Sequence, residues 1–304
     1  MGGPGVRCPL HGGLKRLPWG RRRDVASDGL PARPGGPWTV EKLDYVERYA
    51  HAFMRAMAPK RKQGMWDQLV YIDLLAGPGK GIEQGRRTEF DGSPLRALRV
   101  RPGFDRLFLG DARKRNVATL RRRISADDLD RVELEAGDCN ERARDVVRKL
   151  SPKTLGLAFV DPEGFEVTFS MLRTLSTRPI DILLLFPSAI GIGRNLRKFV
   201  EQKDSPMDAL WGGREWRQLT PAKLAAGARL SPEETETLDR PWLLSFRAKM
   251  VQIGYRFQDE ADPCFRNEKN APMYHLLFFS RHPAGLTIWR NIKRLEPTGQ
   301  RSLF

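Results

Sequence analysis

Histidine and cysteine are scarce in this chain, with four and three among 304 residues. Cys8, Cys139 and Cys264 match neither a disulfide framework nor a metal cluster in their spacing, so a reducing cytoplasm is the expected home. Cys8-Pro9-Leu10-His11 looks like half a metal motif, but no second pair stands near it. Long apolar runs are also lacking: none approaches the ~18 residues of a membrane span, and no apolar signal core follows the basic N-terminus. Export and membrane insertion are therefore not expected. Acidic residues are in deficit, 37 against 53 Lys and Arg, and the net charge of +16 suggests an anionic partner, nucleic acid before membrane.

What is present is a soluble composition, 40% hydrophobic and 30% charged, in a chain long enough for one elaborated domain. Residues 1–36 are rich in Gly, Pro and Arg and hold seven basic residues against Asp24 and Asp28. Such a segment buries too little apolar surface to offset its ordering entropy, so a disordered basic arm is expected there. Residues 37–304 are expected to form the folded domain. Helical periodicity runs from an N-cap at Thr39 to about Met57, with Leu43, Val46, Tyr49, Ala50 and Phe53 on one face. A Lys-rich loop is expected at 59–64.

Beyond it, short apolar runs alternate with helical ones. Strands are expected at 69–75, 106–110, 132–136, 155–160 and 180–186, and helices at 94–99, 114–125, 140–150 and 169–176. Strands alternating with helices imply a doubly wound, mainly parallel α/β sheet. Residues 254–257 and 273–280 read as a terminal antiparallel hairpin, and 187–241, with Trp211, Trp216 and Trp242, as a helical insertion.

The run from Val70 to Gly81 passes from apolar residues through Asp73 and Ala76 into glycines at 77, 79 and 81. In a doubly wound sheet the loop after the first central strand is the usual ligand cradle, and glycines let backbone approach a ligand closely. A tight strand-to-helix turn would use the same glycines. Lys80 is followed by Gly81 and not by a hydroxyl residue, which excludes a phosphate-binding P-loop. The G-x-G-x-G spacing only partly matches a dinucleotide fingerprint, which disfavours a nicotinamide-dependent oxidoreductase. S-adenosylmethionine fits better, because its sulfonium and amino acid call for close backbone and an acidic residue, here Asp73. Asp111 and Asp138 end the next two strands, where one could hold a ribose diol and the other the adenine amine, with Cys139 lining the ring. Each, taken alone, would equally suit a helix cap. Asp161-Pro162 closes the following strand in a sharp turn that aims acceptors at a substrate amine, with Phe165 placed to stack on a base.

Together these residues resemble the class I S-adenosylmethionine-dependent methyltransferases. Asp73-Leu74-Leu75-Ala76-Gly77-Pro78-Gly79 is similar to the family's first motif, and Asp161-Pro162 resembles the (D/N)-P-P-(Y/F) motif of amino-methylating members. The sequence departs from that motif at Glu163, where a second proline is usual, and at Phe165, one place late. A wider resemblance, from Trp38 onward, is to the three-Cys-motif partner proteins (TcmP). It is carried by Trp38-Thr39 with Lys42-Leu43, Ala76 to Gly79, Gly92 to Leu95, Phe159 to Pro162, and Met273 to Phe278 followed by Trp289. The resemblance implies a methyltransferase-like fold and a partner protein carrying a three-cysteine motif, related to radical S-adenosylmethionine or phage-associated proteins. It supplies no substrate, so two readings stand: a methyltransferase acting on a nitrogen of nucleic acid, or a non-catalytic adaptor that docks the partner. Pro263-Cys264 looks like the nucleophile of cytosine-C5 methyltransferases, but Asp161-Pro162 occupies the strand end where that cysteine belongs. Basic residues near the cleft, Arg86, Arg87 and Arg194, are the expected phosphate contacts, with 113–115 and 121–123 as further clusters.

Overall fold

The computed structural model describes residues 24–187, 196–220, 232–267, 270 and 272–294. Its centre is β2 (Gln68–Asp73), buried on both faces and paired in parallel with β5 (Arg106–Asp111) on one side and β7 (Thr154–Val160) on the other. Beyond β5 lies β6 (Val132–Ala136), and beyond β7 lies β8 (Ile180–Pro187), both parallel. The sheet closes with β11 (Pro272–Ser280), antiparallel to β8, and β9 (Phe257–Gln258) and β10 (Cys264–Arg266) pair antiparallel along its outer edge. The order is thus β6-β5-β2-β7-β8-β11-β10. The chain winds outward from β2 to β6, then returns to β7 on β2's other side. A crevice opens outside the carboxyl ends at such a reversal. This is the expected Rossmann-like class I methyltransferase fold, with its terminal antiparallel unit.

Helices cover both faces. On one lie α1 (Pro37–Lys62), α2 (Ser93–Arg99), α3 (Lys114–Arg123) and α9 (Pro283–Lys293). On the other are α4 (Cys139–Lys149), α5 (Phe169–Leu175), α6 (Leu196–Glu201), α7 (Pro206–Trp211) and α8 (Pro232–Gln252). Strand alternation divides the core between the faces: Val70 and Ile72 face α4 and α5, while Leu69 and Tyr71 face α1. Doubly buried strands explain why the sequence reads as unbroken apolar runs. The described residues of 187–241 are largely helical, and α8 continues past 241 to Gln252. Trp211, Trp216 and Trp242 are fully buried, with Trp211 packed against Phe186 and Phe246, so they are core and not stacking platforms.

Helix α1 begins earlier than expected. Gly36 caps it and Pro37 opens it, since a proline there has no amide left to satisfy and a preset φ. It also runs through the expected Lys-rich loop: Pro59 lies in the last turns, and Lys60, Arg61 and Lys62 suit the negative end of the helix dipole. The stripe Lys42, Val46, Tyr49, Phe53 and Met57 is buried. Tyr49 donates a 2.7 Å hydrogen bond to Asp181 Oδ2 and so ties α1 to β8.

The expected disordered arm needs correction. Residues 1–23 lie outside the described residues, but 24–36 are part of the fold. β1 (Arg33–Gly35) pairs in parallel with β3 (Lys80–Glu83), and β3 pairs antiparallel with β4 (Glu89–Asp91), a small sheet with no apolar run to announce it. Ala26 and Leu30 are buried. The strap is held chiefly by Arg123, which donates to both oxygens of Asp28 and to the carbonyls of Leu30, Pro31 and Pro78. Its order comes from a partner 95 residues away, which composition does not reveal. Replacing Arg123 with Ala is expected to speed amide exchange in residues 25–32 while lowering global stability by only about 1–3 kcal/mol. Hydrogen-exchange mass spectrometry and urea unfolding measure the two effects separately.

Candidate functional site

After Asp73 the chain leaves the sheet through the glycine loop. Gly77 (φ +63°) and Gly79 (φ +93°) both adopt the left-handed conformation. The Ala76 amide donates to the Gly110 carbonyl at 2.8 Å, the Gly77 amide to Asp111 Oδ2 at 3.1 Å and the Gly92 amide to the Gly79 carbonyl at 2.7 Å. The glycines differ in role. A Cβ on Gly77 would meet nothing within 4 Å, whereas one on Gly79 would stand 2.8 Å from Leu120 and one on Gly81 2.2 Å from Phe90. Of these three, only Gly77 has room for a Cβ. Gly79 and Gly81 serve packing, because the loop runs into β3 instead of a helix and must pass closely under α3 and β4.

Three expected carboxylates converge at the ends of β2, β5 and β7. Asp73 is completely buried, accepting from Ser93 Oγ at 2.6 Å and from the Leu75 amide at 3.2 Å. Burial pushes its carboxyl up to about 7, with the nearby Asp161 and Asp111 adding to the rise. Asp111 is half-buried and held by two backbone donors, Gly77 on Oδ2 and Arg113, at 2.7 Å, on Oδ1. Each oxygen keeps a lone pair, the arrangement a diol would need. Ala76 is buried beneath the loop.

The expected adenine end is different. Asp138 is exposed and caps α4, with Oδ1 accepting from the amides of Asn140 (2.9 Å) and Glu141 (3.2 Å). Cys139 was expected to line a ring, but it is the first residue of α4 and turns into the core beside Ala143, with Sγ 3.8 Å from the Glu166 carbonyl. Burial pushes its thiol up to about 12. The helix phase that lets Asp138 cap α4 directs the next side chain inward.

At the end of β7, Asp161 is not free. Lys42 Nζ reaches both of its oxygens at 2.6 Å, and the two residues are 2% and 8% exposed. The ammonium also lies 5.0 Å from the Trp38 ring centroid. Burial lowers the Lys42 pKa, and Asp161 opposes that fall. Pro162 is buried, and Glu163 is exposed and paired with Arg113 (2.9 Å) and Arg33 (3.4 Å). Burial would lower the pKa of Arg33, yet Asp161, Glu163, Asp111 and Glu166 outweigh it and raise it. Glu166 closes the turn by accepting from the amides of Glu163 and Gly164 at 2.6 and 2.8 Å. Phe165 is half-buried and meets Phe199 of α6 edge to face, with centroids 4.9 Å apart, so it joins the turn to the insertion.

Lys42, Ser93, Arg33 and Glu166 are site residues that the sequence reading did not assign. For Lys42 a signal existed: it sits four residues before Val46, on the apolar stripe of α1, where an unpaired lysine does not belong. Among the expected basic contacts, Arg123 is committed to the strap, Arg87 pairs with Asp24 and Arg113 with Glu163. Arg86, Lys114, Arg115, Arg121 and Arg122 are exposed, and Arg194 lies outside the described residues. No helix among the described residues is long and apolar enough to cross a membrane.

Two outcomes follow from the buried charges. Lys42→Met leaves Asp161 buried without its cation and is expected to cost about 3–5 kcal/mol, most of it regained in Lys42→Met/Asp161→Asn; urea unfolding of the three proteins checks this. Because the folded-state pKa of Asp73 is raised from 3.8 to about 7, its contribution to stability is full below pH 3.8 and is lost as pH rises to 7. The stability of Asp73→Asn relative to the native protein should therefore climb between pH 4 and 7 and then level off, as thermal unfolding in a pH series would reveal.

No family model matches the chain, and no curated protein matches it. Among solved structures, the Legionella pneumophila protein LPL1258, described under the family model DUF519, is 12% identical; the match covers 86% of this chain and 94% of that one, with a TM-score of 0.48. An S-adenosylmethionine-dependent methyltransferase from Aquifex aeolicus is 12% identical over 81% of this chain and 99% of that one, with a TM-score of 0.29. At these identities and scores the likenesses assign no activity, and the fold rests on the strand order and the reversal at β2.

Proposed function

We propose that the cleft outside β2, β5 and β7 binds S-adenosylmethionine and that the protein transfers its methyl group to a nitrogen acceptor on nucleic acid. The observation that carries the cofactor reading is the convergence of Asp73, Asp111 and Asp161 beside Gly77, the one glycine of the loop with room for a Cβ. A cluster of carboxylates suits a ligand bearing a sulfonium and an ammonium. Asp111 would hold the ribose diol, and Asp73, through Ser93, would fix the loop beneath the amino acid. When bound, the cofactor supplies an electrophilic methyl group, so the protein's own contribution is to position the acceptor and exclude water. Asp161 is the group that would accept from the substrate amine. It must first exchange Lys42 for that amine, a swap of one cationic or polar donor for another that keeps the carboxylate satisfied. The exposed cations Arg86, Lys114, Arg115, Arg121 and Arg122 and the net charge of +16 support a polyanionic acceptor.

The second reading is an adaptor that keeps the fold to dock a three-cysteine-motif partner. The ion pair between Lys42 and Asp161 favours it, since it occupies the acceptor group, as do the Arg33 and Arg113 contacts that hold Glu163 across the turn.

Calorimetric titration with S-adenosylmethionine should give saturable heat, and Asp111→Ala should weaken binding by about tenfold to a hundredfold. An absence of heat from the native protein would remove the cofactor reading. Labelled methyl transfer to total RNA and DNA should then be lost in Asp161→Ala. Binding without transfer by the native protein selects the adaptor.

A further inference from the structure

A second cluster of reactive side chains lies at the β10 edge of the sheet, on elements that contribute nothing to the cleft. Cys264 of β10 and His275 of β11 are direct cross-strand partners, so their side chains share one face. His275 Nε2 is 3.2 Å from Asp239 Oδ2 of α8, and Cys264 lies directly across the strand pair from the same imidazole. The three residues line a cavity of about 300 Å³ with Arg240, Arg266 and Asp262. Both sequence stretches involved, Pro263-Cys264 and Met273 to Phe278, stand out in the sequence, yet the cleft uses neither.

The cavity carries its own signature of a ligand. Asp262 is buried against Arg247, yet its Oδ1 accepts no hydrogen bond among the described residues. Asp262 and Glu260 add negative charge to the cavity wall. Arg240 and Arg266 are exposed at the rim and suit carboxylates. Within, the cluster brings together a thiol, an imidazole and a carboxylate, the groups that nucleophilic cysteine chemistry uses. Burial lowers the His275 pKa, but Asp239 and Cys264 outweigh that and raise it to about 9, so at neutral pH an imidazolium faces the thiol.

We propose that Cys264 is a thiol-exchange site, activated by His275 and Asp239, that takes small disulfides bearing both carboxylate and amino groups. The Cys264 thiolate attacks one sulfur of the disulfide. A new S–S bond joins Cys264 to that half while the original S–S bond breaks, and the other half leaves as a thiolate that takes the imidazolium proton. Cys264 is oxidised and the small disulfide reduced, so no further oxidant enters. The carboxylates of the bound half meet Arg240 and Arg266, and its amino group meets Asp262.

The charged groups that face His275 are Asp239, Arg240 and Arg247 from α8, Glu260 and Asp262 from the β9–β10 connection, and Arg266 from β10. Asp239 and Arg247 are fixed by ion pairs with His275 and Asp262.

The test is carried out on the full-length chain by peptide mapping, which reads all three cysteines in one sample. At pH 6.5 iodoacetamide should modify Cys264 roughly fivefold faster than it modifies free glutathione. Buried Cys139 should stay unmodified. His275→Gln should slow the alkylation of Cys264 to the rate of free glutathione. Cystine and cystamine, which differ only in the carboxylates, then test selectivity: cystine should form the adduct at Cys264 faster, and Arg240→Gln/Arg266→Gln should erase the difference. Alkylation of native Cys264 no faster than that of His275→Gln would overturn the activation. Equal rates with the two disulfides would overturn the substrate class.

Discussion

The ion pair between Lys42 and Asp161 is the contact on which the rest of the site depends. It joins the first helix of the domain to the end of a central strand across 119 residues, with both oxygens of the carboxylate engaged. Two charges so deeply buried survive only because each satisfies the other; alone, either would cost several kcal/mol. The pair sets how far α1 rises over the carboxyl edge of the sheet. That rise places Trp38 beside the ammonium and carries β1 into register with β3. Tyr49 and Asp181 fix the same helix two turns further along. The roof of the cleft is therefore positioned by polar contacts and not by apolar packing alone.

Around that pair the cleft is a balance of opposite charges at close quarters. Asp73, Asp111, Asp161 and Glu163 face Lys42, Arg33 and Arg113, and each cation reaches the site from a different element. A cationic ligand entering there would compete with side chains the protein already supplies. Occupancy and the arrangement of the turn after β7 are thus coupled through one carboxylate. Arg123 holds the strap that carries Arg33, so the outer wall of the cleft rests on a single buried guanidinium in α3.

The sheet was legible in the sequence because its strands are buried on both faces. Unbroken apolar runs ending in acidic residues mark β2, β5 and β7, and the ends agree with the structure within about two residues. The small sheet of β1, β3 and β4 was not legible, because its strands span three or four residues and gain their order from pairing and from Arg123. Among the expected cofactor residues, Asp73, Gly77 and Asp111 gather at the glycine loop. Gly79 packs against Leu120, Asp138 caps a helix and Cys139 lies in the core. Acidic strand ends look alike in sequence whether they face a ligand or a helix terminus, since both uses need only a carboxylate with free lone pairs.

By itself the sequence determined the class of fold and the position of the glycine loop. Hydrophobic periodicity and backbone freedom are local properties, written within a few residues of where they act. Only the tertiary structure decided which carboxylates are already satisfied, which glycine has room for a Cβ and which cysteine meets a histidine. Those outcomes depend on side chains from distant segments: Lys42 on Asp161, Leu120 under Gly79, His275 across from Cys264. Burial and charge pairing are properties of the assembled sheet, so the chemistry of each group is set only when its neighbours arrive.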